Sequence, residues 1–174
     1  MRGTFNEICL ELVAERMRES YGCQQPGQRV ECFEPEMRKQ KVLIVCTGNV
    51  ARSQMAEGLL RHEAGDRFEV FSAGLHPSYV RPHAITVMRE IGIDISGHRS
   101  KSVNEFAGQE MDYVITVCDH AAQHCPSFPA KTKRVHWSIE DPVAPGGEEA
   151  QLAMFRRVRD DLRRRLRDFV QEVH

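Results

Sequence analysis

No apolar run in the chain approaches the roughly 18 residues a membrane-spanning helix needs, so no bilayer span is expected. Its N-terminus lacks an apolar stretch ending in a small-residue cleavage site, so no secretory signal is expected either. Neither charge sign is in excess: 24 Lys and Arg face 25 Asp and Glu, a net charge of -1. That balance removes the electrostatic case for nucleic-acid or anionic-membrane binding. Internal repeats and low-complexity tracts are also missing. What is present is ordinary: 174 residues, 41% of them hydrophobic, enough for one domain with a full core. The six Cys are spread along this mid-sized chain, which suits working thiols in a reducing cytosol better than a disulfide scaffold.

Residues 1–40 and 41–174 read differently. Thr4-Phe5-Asn6-Glu7 has the form of a capping box. Phe5, Ile8, Cys9, Leu12, Val13 and Met17 then share one face, which predicts a short amphipathic helix ending near Tyr21-Gly22. Residues 23–40, which hold Cys23 and Cys32, read as an irregular connector, so 1–40 is expected to be a helical extension. From residue 41 strand and helix signals alternate. Lys41–Val45 is a β-branched apolar run of the kind a strand covered on both faces needs. Strands are also predicted at Phe68–Phe71, Asp112–Val117 and Arg134–Trp137. Helices are predicted over Ser53–His62, Pro82–Ile91 and Glu148–Val170, the last with a stripe of Leu152, Phe155, Val158, Leu162, Leu166 and Phe169. Alternation of this kind predicts an α/β fold: an open four-stranded parallel sheet flanked by helices, with ligands at the carboxyl ends of the strands.

Cys46-Thr47-Gly48-Asn49-Val50-Ala51-Arg52-Ser53 leaves the first strand and enters a helix. This is chemistry for holding a tetrahedral oxyanion. Gly48 and Asn49 tolerate unusual backbone angles, so successive N–H groups can converge on one point. The helix that follows adds its positive end. Arg52 can grip two oxygens in a bidentate fork. The same field favours the thiolate of Cys46, and the hydroxyls of Thr47 and Ser53 can reach its sulfur.

The run CTGNVARSQMAEG from Cys46 to Gly58 resembles the low-molecular-weight tyrosine phosphatase superfamily, and within it the thioredoxin-coupled arsenate reductases. Ser72-Ala73-Gly74, Gly92-Ile93-Asp94-Ile95-Ser96, His136-Trp137 and Asp141-Pro142 extend the resemblance over residues 41–172. Phosphatase and reductase share the oxyanion loop, so a second feature must separate them. Cys118 leaves a strand, and Cys125 follows seven residues later, before Pro126. Across a helix they would lie ~10 Å apart, and a disulfide needs their Cα atoms within roughly 7 Å. Pairing would require a short helix to unwind, which is affordable because a helix that short is marginal. Two other readings stand beside this one: both Cys are packed core residues, or Cys118, His120, His124 and Cys125 bind zinc.

The resemblance implies a three-thiol relay. Cys46 attacks arsenic, Cys118 attacks the Cys46 sulfur and releases arsenite, and Cys125 attacks Cys118. Thioredoxin then reduces the Cys118–Cys125 disulfide. It also implies that Asp141 is the general acid, with Glu140 as a nearby second candidate, and that no cofactor is bound. Two departures stand out. Ala51 replaces a Cys common before the loop Arg, which leaves the relay thiols intact. Some relatives hold potassium beside the loop; Asn49, Glu57 and Ser72 match three of its ligands, but Lys101 lies where the fourth belongs, so no potassium requirement is expected. His136 and Trp137 read as core and rim. Arg163-Arg164-Arg165 reads as a solvated helix face. The expected function is cytosolic arsenate reduction, with arsenate and thioredoxin as partners. A tyrosine phosphatase or a non-enzymatic oxyanion- or zinc-binding module is the alternative.

Overall fold

The computed structural model describes residues 38–129, 131–143 and 145–173. The capping box at Thr4–Glu7, the helix expected after it, and Cys9, Cys23 and Cys32 lie outside the described residues.

Four strands form one parallel sheet: β1 (Gln40–Cys46), β2 (Phe68–Gly74), β3 (Tyr113–Thr116) and β4 (Lys133–His136), in the order β2-β1-β3-β4. This is the expected open four-stranded sheet. Val42, Leu43, Ile44 and Val45 in β1 are fully buried, as an inner strand covered on both faces must be. Helices α1 (Arg52–Ala64), α2 (Pro82–Arg89), α3 (Asp119–His124) and α4 (Glu148–Glu172) connect and flank the strands, with one 3-10 turn at Val103–Phe106. Within α4 the expected stripe is buried from Phe155 to Phe169, while Leu152 is only half-buried. One charged residue joins the stripe: Arg159 is buried because its guanidinium donates to the Val87 carbonyl (2.8 Å) and pairs with Glu90 (3.3 Å). Arg163, Arg164 and Arg165 pair with Glu63 and Asp161, so this run is a salt-bridged helix face.

The topology fixes where chemistry can occur. From β1 the chain crosses to β2 on one side, then returns past β1 to β3 on the other. The gap between the carboxyl ends of β1 and β3 is therefore the switch point at which such sheets bind ligands. Cys46 pairs with Gly74, Val45 with Thr116, and Thr116 with His136, so these residues end their strands side by side.

Candidate active site

The segment after β1 wraps around the Cys46 sulfur. Asn49 takes the left-handed conformation (φ 50°), which turns its N–H back onto Cys46 Sγ at 3.1 Å. Ser53 Oγ, at the start of α1, lies 2.9 Å from the same sulfur. The Asn49 side-chain amide donates to Ser53 Oγ (2.8 Å), which leaves the serine proton free for sulfur. Hydrogen bonds of this kind are stronger to an ionised acceptor than to a neutral one.

Outside the loop, donors hold its carbonyls. Leu75 N–H reaches the Cys46 carbonyl, His76 N–H that of Thr47, and Arg81 N–H that of Val50. Ser100 Oγ donates to the Gly48 carbonyl, Gln54 Nε2 to that of Asn49, and Met55 N–H to that of Ala51. With the acceptors occupied, the amide groups are the loop's available donors. Ala51, which precedes helix α1, provides no side-chain cap, so the first-turn N–H groups of the helix add to them. Thr47, Gly48, Val50 and Arg52 are half-buried, whereas Cys46 beneath them is only 2% exposed.

Arg52 faces the segment after β4. Its guanidinium donates to the Ile139 carbonyl (3.0 Å) and to Asp141 Oδ2 (2.8 Å). Asp141 is 59% exposed in its side chain and Arg52 only 14%, so an exposed carboxylate, also held by the Val143 N–H (3.0 Å), meets a largely buried cation. Asp141 is thus placed against the oxyanion loop although 89 residues separate it from Arg52.

Support for the loop is buried and polar. Asn49, fully buried, also donates to Ser72 Oγ (2.9 Å) and accepts from Gln54 Nε2 and Lys101 N–H (2.8 Å each). Gln54 Oε1 meets His98 Nδ1 at 3.0 Å, and burial pushes the His98 imidazole below its ordinary range. Glu57, also buried, accepts from Ser72 and Arg61 and lies 3.3 Å from Lys101 Nζ. The Lys101 ammonium thus sits on Glu57, beside the residues for which the sequence suggested a cation. Gly74 is required by proximity: a Cβ there would stand 2.7–2.9 Å from the backbone of Thr47, Gly48 and Asn49.

Across the switch point, Cys118 follows β3 in extended backbone (φ -159°, ψ 152°), is 6% exposed, and its sulfur lies 3.4 Å from Thr47 Oγ1. Helix α3 occupies the six residues that follow, and Cys125 ends it, half-buried and extended again. All three described cysteines are free thiols. Burial pushes the Cys125 thiol up; the Arg134 guanidinium opposes this. Only Ala121 of α3 is buried. The start of α3 is tied down by His136, which contacts Thr116 Oγ1 (2.9 Å) and Asp119 Oδ1 (3.1 Å). Hydrogen bonds from Ser138 and then His136 hold the Asp119 carboxyl below its usual range. His136 is accordingly exposed rather than packed in the core; Trp137 is the half-buried rim residue, edge-on to Phe169.

The zinc arrangement does not assemble. His120 and His124 stack ring on ring, His124 Nδ1 is engaged by the His120 carbonyl, and Cys118 and Cys125 stand at opposite ends of α3. Among the described residues no group of three or more His, Cys, Asp or Glu side chains converges on a metal position.

The sequence profile of the family "Low molecular weight phosphotyrosine protein phosphatase" matches residues 41–174. The chain belongs to this phosphatase family. An arsenate reductase of Halalkalibacterium halodurans is 44% identical over 136 residues, which is 78% of this chain and 98% of that relative. A solved arsenate reductase in its oxidized state is similar at TM-score 0.68 and 33% identity, covering 78% of this chain and 99% of that one. A thioredoxin-dependent arsenate reductase of Corynebacterium glutamicum reaches TM-score 0.63 at 28% identity, over 78% of this chain and 62% of that one. Within the family scaffold, the sequence missed Gln54, His98, Gly74 and the contact between Thr47 and His120. Gly74 left a trace as the last residue of a strand-ending Ser-Ala-Gly, and Gln54 as a member of the run from Cys46 to Gly58.

Proposed function

We propose that this protein reduces arsenate to arsenite, with Cys46, Cys118 and Cys125 as a thiol relay in residues 41–174 and thioredoxin as reductant. The observation that carries this reading is the placement of a second thiol, Cys118, against Thr47, the residue next to Cys46. Hydrolysis of a phosphate ester has no use for that thiol. Arsenate enters the loop, binds the amide groups and takes the Arg52 guanidinium from Asp141. The Cys46 thiolate attacks arsenic; an arsenate oxygen departs as water, taking its proton from Asp141. Next the Cys118 thiolate attacks Cys46 Sγ. An S–S bond forms, the S–As bond breaks, and its electron pair stays on arsenic, which falls from As(V) to As(III). Cys125 then attacks Cys118 and frees Cys46, leaving a Cys118–Cys125 disulfide for thioredoxin. Such exchange needs accessible thiolates and a reducing compartment, here the cytoplasm.

Arsenate-dependent NADPH oxidation in the presence of thioredoxin and its reductase tests this, beside a phosphatase assay on the same preparation. The expected result is NADPH oxidation that requires arsenate, thioredoxin and Cys118. Phosphatase turnover with no arsenate-dependent oxidation would overturn the reading.

A further inference from the structure

The relay leaves one proton without a destination. Cys118 attacks only as a thiolate, yet its sulfur is almost fully buried. Its side-chain hydrogen-bond neighbour is Thr47 Oγ1 at 3.4 Å, and the same hydroxyl lies 3.5 Å from His120 Nδ1. A hydroxyl both accepts and donates, so this chain of three atoms can carry a proton. We propose that His120 takes the Cys118 proton through Thr47 and so prepares the second nucleophile, an inference that rests on the relay described above. The thiol proton moves to Thr47 Oγ1 while the hydroxyl's own proton moves to His120 Nδ1. Thiol and neutral imidazole become thiolate and imidazolium, Thr47 ends as it began, and no electrons change hands.

His120 is built for this place. Its ring is stacked on that of His124 (centroids 4.4 Å apart, planes at 25°), and His124 Nδ1 in turn bonds the His120 carbonyl at 2.9 Å. The ring is exposed, so an imidazolium there is hydrated and can lose its proton to water. The contact to sulfur has an ordinary length for a hydrogen bond to that larger atom, while the 3.5 Å link to His120 is long for a finished one, as catalytic hydrogen bonds commonly are before the reacting complex forms. The other ionisable groups nearby are committed. On α3, Asp119 is held by His136 of β4 and by Ser138, and feels the charge of Arg52. His124 is spent on the His120 carbonyl. After β2, His76 shares with His120 and His124 a cavity of about 390 Å³; its backbone N–H is spent on the Thr47 carbonyl, and among the described residues its ring makes no hydrogen bond to the Thr47 or Cys118 side chain. Beyond α3, Arg134 bonds the Cys125 carbonyl. His120 therefore acts on the reacting sulfur through Thr47, as a positioning residue with a proton-accepting nitrogen.

Alkylation of Cys118 by iodoacetamide in the reduced full chain, read peptide by peptide in the mass spectrometer, tests this without any arsenate. His120→Phe keeps a ring for the stack, and His120→Asn keeps a polar group that cannot take up a proton. Both should slow alkylation of Cys118 at pH 7 by about tenfold, the effect of a thiol pKa raised by about one unit when the neighbouring proton acceptor is lost. At about pH 10, where a free thiol ionises unaided, variant and parent rates should converge. Thr47→Val should slow the reaction equally, and adding His120→Phe to Thr47→Val should do nothing more. An unchanged rate at neutral pH, an equal loss at both pH values, or additive losses in the double variant would each overturn the proposal. Because arsenate is absent, that failure is separable from a failure of the reductase assay.

Discussion

Two regions meet at the switch point, and they are built in opposite ways. Around Cys46 the carbonyls from Cys46 to Ala51 are all occupied, Asn49 is fully buried with its side-chain amide bonded, and Gly74 leaves no room for even a methyl group. The 118–125 segment has a six-residue helix with no side-chain cap, one buried residue, and a tether at its first residue. An oxyanion site stabilises developing charge only if its donors are already in place. A disulfide between Cys118 and Cys125 forms only if their Cα atoms close from ~10 Å across a helix to under roughly 7 Å. Under the proposed relay, the tightly held thiol is the one that binds substrate and the loosely held pair are the ones that travel.

The largest effect should come from making the rigid region move. Gly74→Ala forces a methyl into the loop backbone, and should cost about 3 kcal/mol by chemical denaturation, the upper range for overpacking, together with oxyanion protection of Cys46 against alkylation. A variant as stable as its parent would show that the loop yields. A smaller effect concerns pH. Burial depresses the His98 imidazole, so the unfolded chain takes up a proton that the folded chain refuses. Stability should fall as pH drops below about 6.5 and level off once the depressed folded value is passed. His98→Gln should flatten that slope in melting curves; an unchanged slope would assign it to other groups. Smallest for stability is Asp119→Ala in the labile region. Its melting temperature should barely move, while the amides of Ala121 to His124 exchange hydrogen several-fold faster. A loss as large as that of Gly74→Ala would make α3 part of the frame.

The sheet, the long helix and the loop were legible because each depends on local pattern: four β-branched and aliphatic residues in a row, a 3.6-residue stripe, a Cys and an Arg across a turn. What escaped depends on partners far along the chain. Arg159 interrupts the stripe of α4 as a charged residue would on a solvent face, yet it is buried because the Val87 carbonyl awaits it. His98 reaches Gln54 across 44 residues of sequence, and Gln54 in turn bonds Asn49. His136 reads as core from its neighbours, but its role is set by Thr116 and Asp119. Periodicity reports which face is buried, not what stands opposite it.

The central claim is tested most directly by mapping disulfides after arsenate turnover without added reductant. The account predicts a Cys118–Cys125 disulfide with Cys46 as a free thiol, and in Cys125→Ser a Cys46–Cys118 disulfide after a single release of arsenite. Sustained arsenite formation by Cys125→Ser would contradict it.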